Sequence, residues 1–171
     1  IVLMNPDLIK KLRDKTGAGI MACKSALESS NGDIEKAMLI LQEQGIALAR
    51  KKSGRSATEG IISSYIHSNN KIGVLLEINC ETDFVAKTEN FKDLAHQITM
   101  QIAAMNPIYL DTELENNNIK NNIKPTTENS LLQQTFIKNN EKTIKSLIEE
   151  TSGKLGENIQ IKRFKRFAIS D

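Results

Sequence analysis

The spacing of the apolar residues changes near residue 58, and no other feature restricts the fold so tightly. Upstream, Ile34, Ala37, Met38 and Leu41 recur at i, i+3, i+4 and i+7, the repeat of a helix with one buried face. Leu8, Ile9 and Leu12 share a face in the same way. Downstream, EGIISSYIHS and KIGVLLEINC are β-rich runs separated by Asn69-Asn70, a signal for an antiparallel hairpin. One chain must therefore bury both helical stripes and a sheet face, which places it in the α+β class.

Local signals divide the chain further. Asn5 can cap a first helix with Pro6 at its first position and Gly17 past its end. A second helix runs from Ile20 to Ser29 and stops at Asn31-Gly32, and Asp33 caps a third that ends before Gly45. Residues 1–46 thus form a three-helix unit whose core is marginal alone. The basic stretch 47–58, ALARKKSGRSATEG with its flanks, reads as a linker with a helical start. Residues 59–171 form a core: the hairpin, then a helix capped by Thr88 with Phe91, Leu94, Ala95, Ile98 and Ile102 on one face, ending before Pro107. Within it, 116–130 is polar and low in complexity and reads as a mobile connection. A helix bearing Ile144, Leu147, Ile148 and Leu155 stops near Gly156. The last segment, NIQIKRFKRFAIS, alternates at Ile159 and Ile161, but Phe164 is out of phase, so the strand carries a bulge. The expected architecture is a three-helix bundle, a linker, and a small antiparallel sheet with helices on one face.

Charge excludes little and points nowhere strongly. Net charge is +2 on 171 residues, so bulk electrostatics favour neither nucleic acid nor a membrane surface. No apolar run approaches the roughly 20 residues of a membrane helix. The start, IVLMNPDLIKK, reads as neither a secretory signal nor a transit peptide. Cys23 and Cys80 lie in unlike settings, form no disulfide framework and fit a reducing compartment.

Three stretches carry residue types suited to chemistry or binding. Cys80 ends a strand, and with His67 or His96 it raises a cysteine nucleophile. Antiparallel pairing, however, sets residue 80 near residue 60 and leaves His67 at the far end of the hairpin, and a structural thiol is the plainer reading. KRFKRF interleaves Lys162, Arg163, Lys165 and Arg166 with Phe164 and Phe167, as a single-stranded nucleic-acid platform does. A strand with one packed and one solvated face gives the same pattern. The third stretch, NCETDFVAKTENF, leaves its strand through Glu81-Thr82-Asp83 and then places Phe84 and Val85 just beyond. Thr82 can cap a short turn with Asp83 in its first position. Phe84 then either packs beneath its own helix or projects as an anchor for a partner.

Two long blocks and an ending carry a resemblance. LRDKTGAGIMACKSALESSNGDIEKA, GVLLEINCETDFVAKTENF and KLGENIQIKRF, in that order, resemble the elongation factor Ts family. The resemblance covers nearly the whole chain and is weakest between Asn116 and Ser130. It implies an N-terminal domain of ubiquitin-associated type, a linker and an α/β core. It also implies a guanine-nucleotide exchange factor for elongation factor Tu, bound in its GDP-bound and nucleotide-free states, without covalent chemistry, cofactor, metal, direct nucleic-acid contact or membrane.

Site residues follow from the same resemblance. Asp83 and Phe84, flanked by Thr82 and Val85, correspond to the family's pair that enters the GTPase domain, where the Phe wedges between helices beside the magnesium site. Arg13 and the turn Thr16, Gly17, Ala18, Gly19, Ile20 and Met21 correspond to the N-terminal contact. Longer members hold two related core halves; this chain has room for one, which raises a homodimer as a hypothesis. The bias towards Asn, Ile and Lys, with the wording SYIH…IGVLLEINCETDFVA, is similar to plastid-encoded or cyanobacterial members, so the plastid stroma is expected, with the bacterial cytoplasm as the alternative.

Overall fold

The computed structural model describes residues 6–113 and 123–169. Three helices open it: α1 (Pro6–Thr16), α2 (Ile20–Ser29) and α3 (Ile34–Lys52). The cap expected from Asn5 lies outside the described residues. Gly17 ends α1 in the left-handed region at φ 70°, and its N–H donates to the Arg13 carbonyl at 2.7 Å. Asp33 caps α3 by accepting from the Glu35 and Lys36 N–H groups at 3.0 and 3.1 Å. Leu12, Cys23, Ala26, Leu27 and Ala37 are the buried centre of this bundle.

The third helix does not end before Gly45 but runs on to Lys52, so residues 47–52 of the expected linker are helical. The cause is a helix crossing. Gly45 faces Gly153 of α6 (Ile144–Leu155), and a Cβ added at Gly153 would lie 2.5 Å from the Gly45 carbonyl carbon and oxygen. Glycine here permits close backbone approach rather than a turn. Around the crossing, Gln42 Nε2 donates to Glu150 Oε1 at 2.6 Å, Arg50 pairs with Glu149 at 3.1 Å, and Lys52 Nζ donates to the Gly156 carbonyl. The small bundle is thereby seated on the rest of the molecule.

Strands β1 (Glu59–Ile66) and β2 (Ile72–Cys80) form the expected hairpin, with Glu59 opposite Cys80 and Ile66 opposite Gly73. The final strand, β5 (Gln160–Ala168), pairs antiparallel with β2 and completes a sheet of order β1-β2-β5. Glu77 faces Arg163 while Ile78 faces Ile161, so Lys162 is the extra residue of the expected bulge. A one-turn helix, α4 (Asp83–Ala86), leads into α5 (Glu89–Met105), capped by Thr88. The predicted face of α5, Phe91, Leu94, Ala95, Ile98 and Ile102, is buried against Val74, Leu76, Ile78 and Ile161. These helices cover one face of the sheet only, leaving Ile62, Ile66, Leu75 and Phe167 exposed on the other.

A second region differs from expectation. Residues 116–122 lie outside the described residues, and 123–130 form a built loop rather than a plain connection. Asn129 receives the Ile108 and Tyr109 N–H groups on its carbonyl at 2.8 and 3.0 Å, and its side chain donates to the Lys124 carbonyl at 2.9 Å. A small hairpin follows, β3 (Thr135–Phe136) and β4 (Asn139–Thr143), for which the sequence offered no alternation. Gln101, fully buried on α5, organises it: Nε2 donates to Gln134 Oε1 and to the Thr135 carbonyl at 3.2 and 3.1 Å, and Oε1 accepts from the Ile137 N–H at 2.9 Å. A glutamine filling a core position is invisible to hydrophobic periodicity.

Candidate functional site

Leaving β2, the backbone must stop pairing and reverse towards α5 within a few residues. Thr82 starts that reversal as the N-cap of α4, its hydroxyl accepting from the Val85 N–H at 3.4 Å. Asp83 occupies the first turn and pairs with Lys87 Nζ at 2.5 Å, one helical turn on. That hydrogen bond holds the Asp83 carboxyl below the usual range and raises the Lys87 ammonium. Both groups lie at the surface, where such a pair is worth little.

The two apolar residues of the turn part company. Val85 is half-buried and packs against the core beside buried Ala86, whereas Phe84 is 80% exposed. Of the two readings open for Phe84, the one in which it packs beneath its own helix does not describe this fold. Val85 anchors the turn that Phe84 leaves. The structure brings Thr82, Asp83, Phe84 and Val85 together on one short element.

Arg13, Thr16, Gly17, Ala18, Gly19, Ile20 and Met21 gather at a second place, the α1–α2 turn. Thr16 Oγ1 donates to the Leu12 carbonyl at 2.8 Å and accepts from the Ala18 N–H at 3.3 Å. Gly19 is the N-cap of α2 and has no side chain to cap it. Ile20 and Met21 begin that helix 56% and 74% exposed. A cleft of about 600 Å³ lies beside the turn, lined by Thr16, Gly17 and Ala18 and by Lys142, Gly153 and Lys154 from the far side of the helix crossing.

The two rival chemistries find little in the geometry. Cys80 is buried, and its Sγ–H donates to the Thr82 carbonyl at 3.1 Å. Burial, and secondly the charge of Glu157, push its thiol up to about 11, away from the thiolate a nucleophile needs. Tyr65 groups with the histidines at the other end of the sheet: its hydroxyl is 3.0 Å from His67 Nδ1, and its ring centre lies 5.9 Å from that of His96. In β5, Phe164 packs on the core while Phe167 lies exposed on the opposite face, because residues three apart in a strand point opposite ways. Arg163 pairs with Glu77 at 2.6 Å, and Arg166 donates to the Ala103 carbonyl at 3.2 Å. The two rings cannot form one stacking platform.

Sequence reasoning missed what stands behind α4. Glu157 Oε2 accepts from the Glu81 and Thr82 N–H groups, both at 3.0 Å, and Oε1 accepts from the Thr82 hydroxyl at 2.5 Å. The only hint in the sequence is its place beside Gly156, a helix stop that returns the chain to the sheet.

Comparisons with known proteins agree on one family. The family described as "Elongation factor TS" matches residues 15–124. A protein of Thermoanaerobacter sp. (strain X514) named "Elongation factor Ts" is 47% identical, covering 96% of this chain and 94% of its own length. Proteins of the same name from Carboxydothermus hydrogenoformans and Thermotoga sp. (strain RQ2) are 45% and 46% identical, covering 99% and 96% of this chain and 90% and 96% of their own lengths.

Proposed function

The chain belongs to the elongation factor Ts family of translation elongation factors, and from that premise we propose that it is a guanine-nucleotide exchange factor for elongation factor Tu. The observation that carries the mechanism is Phe84, four-fifths exposed on a turn whose neighbours are anchored. Burying such a ring in a partner's pocket contributes roughly 1.5 to 3 kcal/mol. Directed beside the magnesium site of the GTPase, it acts as a wedge and Asp83 as an intruding carboxylate. Because the Asp83–Lys87 pair is exposed and weak, giving it up on docking costs little.

Mg²⁺ ties the nucleotide phosphates to the GTPase, so disturbing it removes the largest local charge that holds GDP. No bond to the nucleotide has to form or break. Linkage makes the effect reciprocal: the factor by which this chain weakens GDP binding is the factor by which GDP weakens binding of this chain. The ternary state is transient, GDP leaves, and GTP then expels the factor. Arg13 and the turn from Thr16 to Met21 supply a second contact with the same GTPase domain, in which Ile20 and Met21 present the apolar edge.

The sheet face bearing Ile62, Leu75 and Phe167 has no cover within the chain's described residues, and we infer a second copy of the chain as its occupant. A monomer by light scattering that exchanges at full rate removes that idea. The relatives named above are bacterial, which favours the bacterial cytoplasm over the plastid stroma. The central test is release of a fluorescent GDP analogue from elongation factor Tu with catalytic amounts of this protein. Many-fold acceleration supports the reading, and no acceleration on a matched partner ends it.

A further inference from the structure

A one-turn helix cannot hold its own shape, because the first turn fixes several dihedrals in return for a single hydrogen bond. Yet α4 presents Phe84 in a defined direction, so its geometry must come from outside. We propose that Glu157 is a positioning residue for the exchange reaction: its carboxylate holds the exit of β2 in the shape that presents Phe84. The inference rests on the wedge reading given above.

The geometry is unusually complete for a side chain 75 residues away in sequence. Three donors converge on one carboxylate, namely the N–H groups of Glu81 and Thr82 at 3.0 Å each and the Thr82 hydroxyl at 2.5 Å. Hydrogen bonds to an ionised acceptor are short and roughly twice as strong as neutral ones. The oriented Thr82 hydroxyl passes the constraint on by accepting from the Val85 N–H, which fixes the first turn of α4. Phe84 lies inside that turn.

The grip is also reciprocal. Glu81 Oε1 accepts from the Asn158 N–H at 2.7 Å, so the two loops hold each other by crossed bonds. Asn158, buried, donates from Nδ2 to the Ser53 and Arg55 carbonyls at 3.2 and 2.7 Å, tying the same loop to the end of α3. The loop at 157–158 is thus braced from the helical side and grips the turn from behind. Glu157 bonds Thr82, the flank of the Asp83–Phe84 pair, and acts on Phe84 through it. It also lies beyond the matched segment 15–124.

Chemistry separates positioning from bulk support. Glutamine keeps the chain length and one acceptor oxygen for the two N–H groups, and its amide N–H can donate to a rotated Thr82 hydroxyl. Aspartate keeps the charge but is one methylene too short to span all three donors. Alanine removes every acceptor.

The experiment measures catalysed release of a fluorescent GDP analogue with wild type, Phe84→Ala, Glu157→Ala, Glu157→Gln and Glu157→Asp. Amide hydrogen exchange is followed at Thr82, Val85, Leu76 and Ile78. Expected is a release rate slowed roughly ten- to a hundred-fold by Glu157→Ala, with protection lost at Thr82 and Val85 but kept at Leu76 and Ile78. Glu157→Gln restores most of the rate and Glu157→Asp restores little. A wild-type rate in Glu157→Ala, while Phe84→Ala is slow, overturns the positioning role and leaves the wedge standing. A slow Glu157→Ala with unchanged protection at Thr82 and Val85 also overturns it. If Phe84→Ala is itself as fast as wild type, the wedge reading falls and this inference falls with it. Should Glu157→Ala fail to fold, Glu157→Asp decides by the same rate and the same two amides.

Discussion

Two apolar tips stand out from this molecule, Phe84 on α4 and the Ile20-Met21 edge on α2, and they are held in opposite ways. The edge on α2 draws its firmness from its own helix, whose Cys23, Ala26 and Leu27 are buried, while Gly19 leaves its first turn without a side-chain cap. The turn under Phe84 is four residues long and draws its firmness from a distant loop. A side chain already held in its bound shape loses less freedom on docking. Exposed apolar area alone therefore does not rank the two tips. In the proposed complex Phe84, a single ring on a braced turn, suits a narrow cleft, whereas the Ile20-Met21 pair suits a flatter surface and contributes to affinity.

The sharpest way to break that contrast is Phe84→Ala. It is expected to slow catalysed GDP release roughly ten- to a hundred-fold, the equivalent of losing one buried aromatic anchor, with the melting temperature unchanged because the ring is exposed. Equal rates for variant and wild type in the fluorescent-GDP assay end the distinction between the tips.

Next is the joint between the two units. Gly153→Ala places a Cβ 2.5 Å from the Gly45 backbone and should destabilise the protein by roughly 1–3 kcal/mol, read by denaturant titration. Gly45→Ala meets Gly153 Cα only at 3.6 Å, an ordinary contact, so it should cost clearly less. If the two variants are equally stable, the crossing is looser than described.

A smaller effect is expected from Met21→Ala. It should raise the concentration of this protein giving half-maximal exchange by roughly three- to tenfold, as for about 1 kcal/mol of lost apolar contact, and leave the maximal rate intact. A fall in the maximal rate with no change in that concentration would show that the α2 edge acts on the nucleotide step as Phe84 does.

Least of all is expected from Cys80. Its folded thiol is raised from 9.0 to about 11, so the folded state keeps the proton where the unfolded chain loses it. The resulting stability is whole below about pH 9 and lost as pH rises towards 11. Cys80→Ala should exchange nucleotide at nearly the wild-type rate and abolish that alkaline decline, which thermal melts at stepped pH can follow. Rapid maleimide labelling of Cys80 near neutral pH, in a Cys23→Ala background, would contradict its burial.

The features legible in the sequence were those that depend on neighbours a few residues apart. Asp33 and Thr88 announce their helices because a cap is a local bond, and Phe164 announces the bulge because a strand repeats every two residues. Thr82 announced the turn under Phe84 for the same reason. What stayed hidden depends on partners far along the chain. Gly45 looked like a stop because its neighbour across the crossing, Gly153, lies in another helix. Gln101 carries no core signal because the loops it satisfies come later in the chain. Glu157 carries no local signal because its donors, Glu81 and Thr82, leave the neighbouring strand β2 some 75 residues earlier in the chain.

The bulge at Lys162 has a further consequence. Before it the odd-numbered residues Ile159 and Ile161 are buried, and after it the even-numbered Phe164, Arg166 and Ala168 are the partly covered ones. One inserted residue has switched which positions face inward, so Arg163, Lys165 and Phe167 all fall on the open face. Such a strand tolerates errors of spelling far better than errors of frame. Exchanging Lys165 for another polar residue leaves the layout intact, but deleting it turns the end of the strand over and carries Phe167 inward and Arg166 out, whereas deleting Lys162 only removes the bulge and leaves the faces as they are. Length beyond the bulge is under tighter constraint than identity.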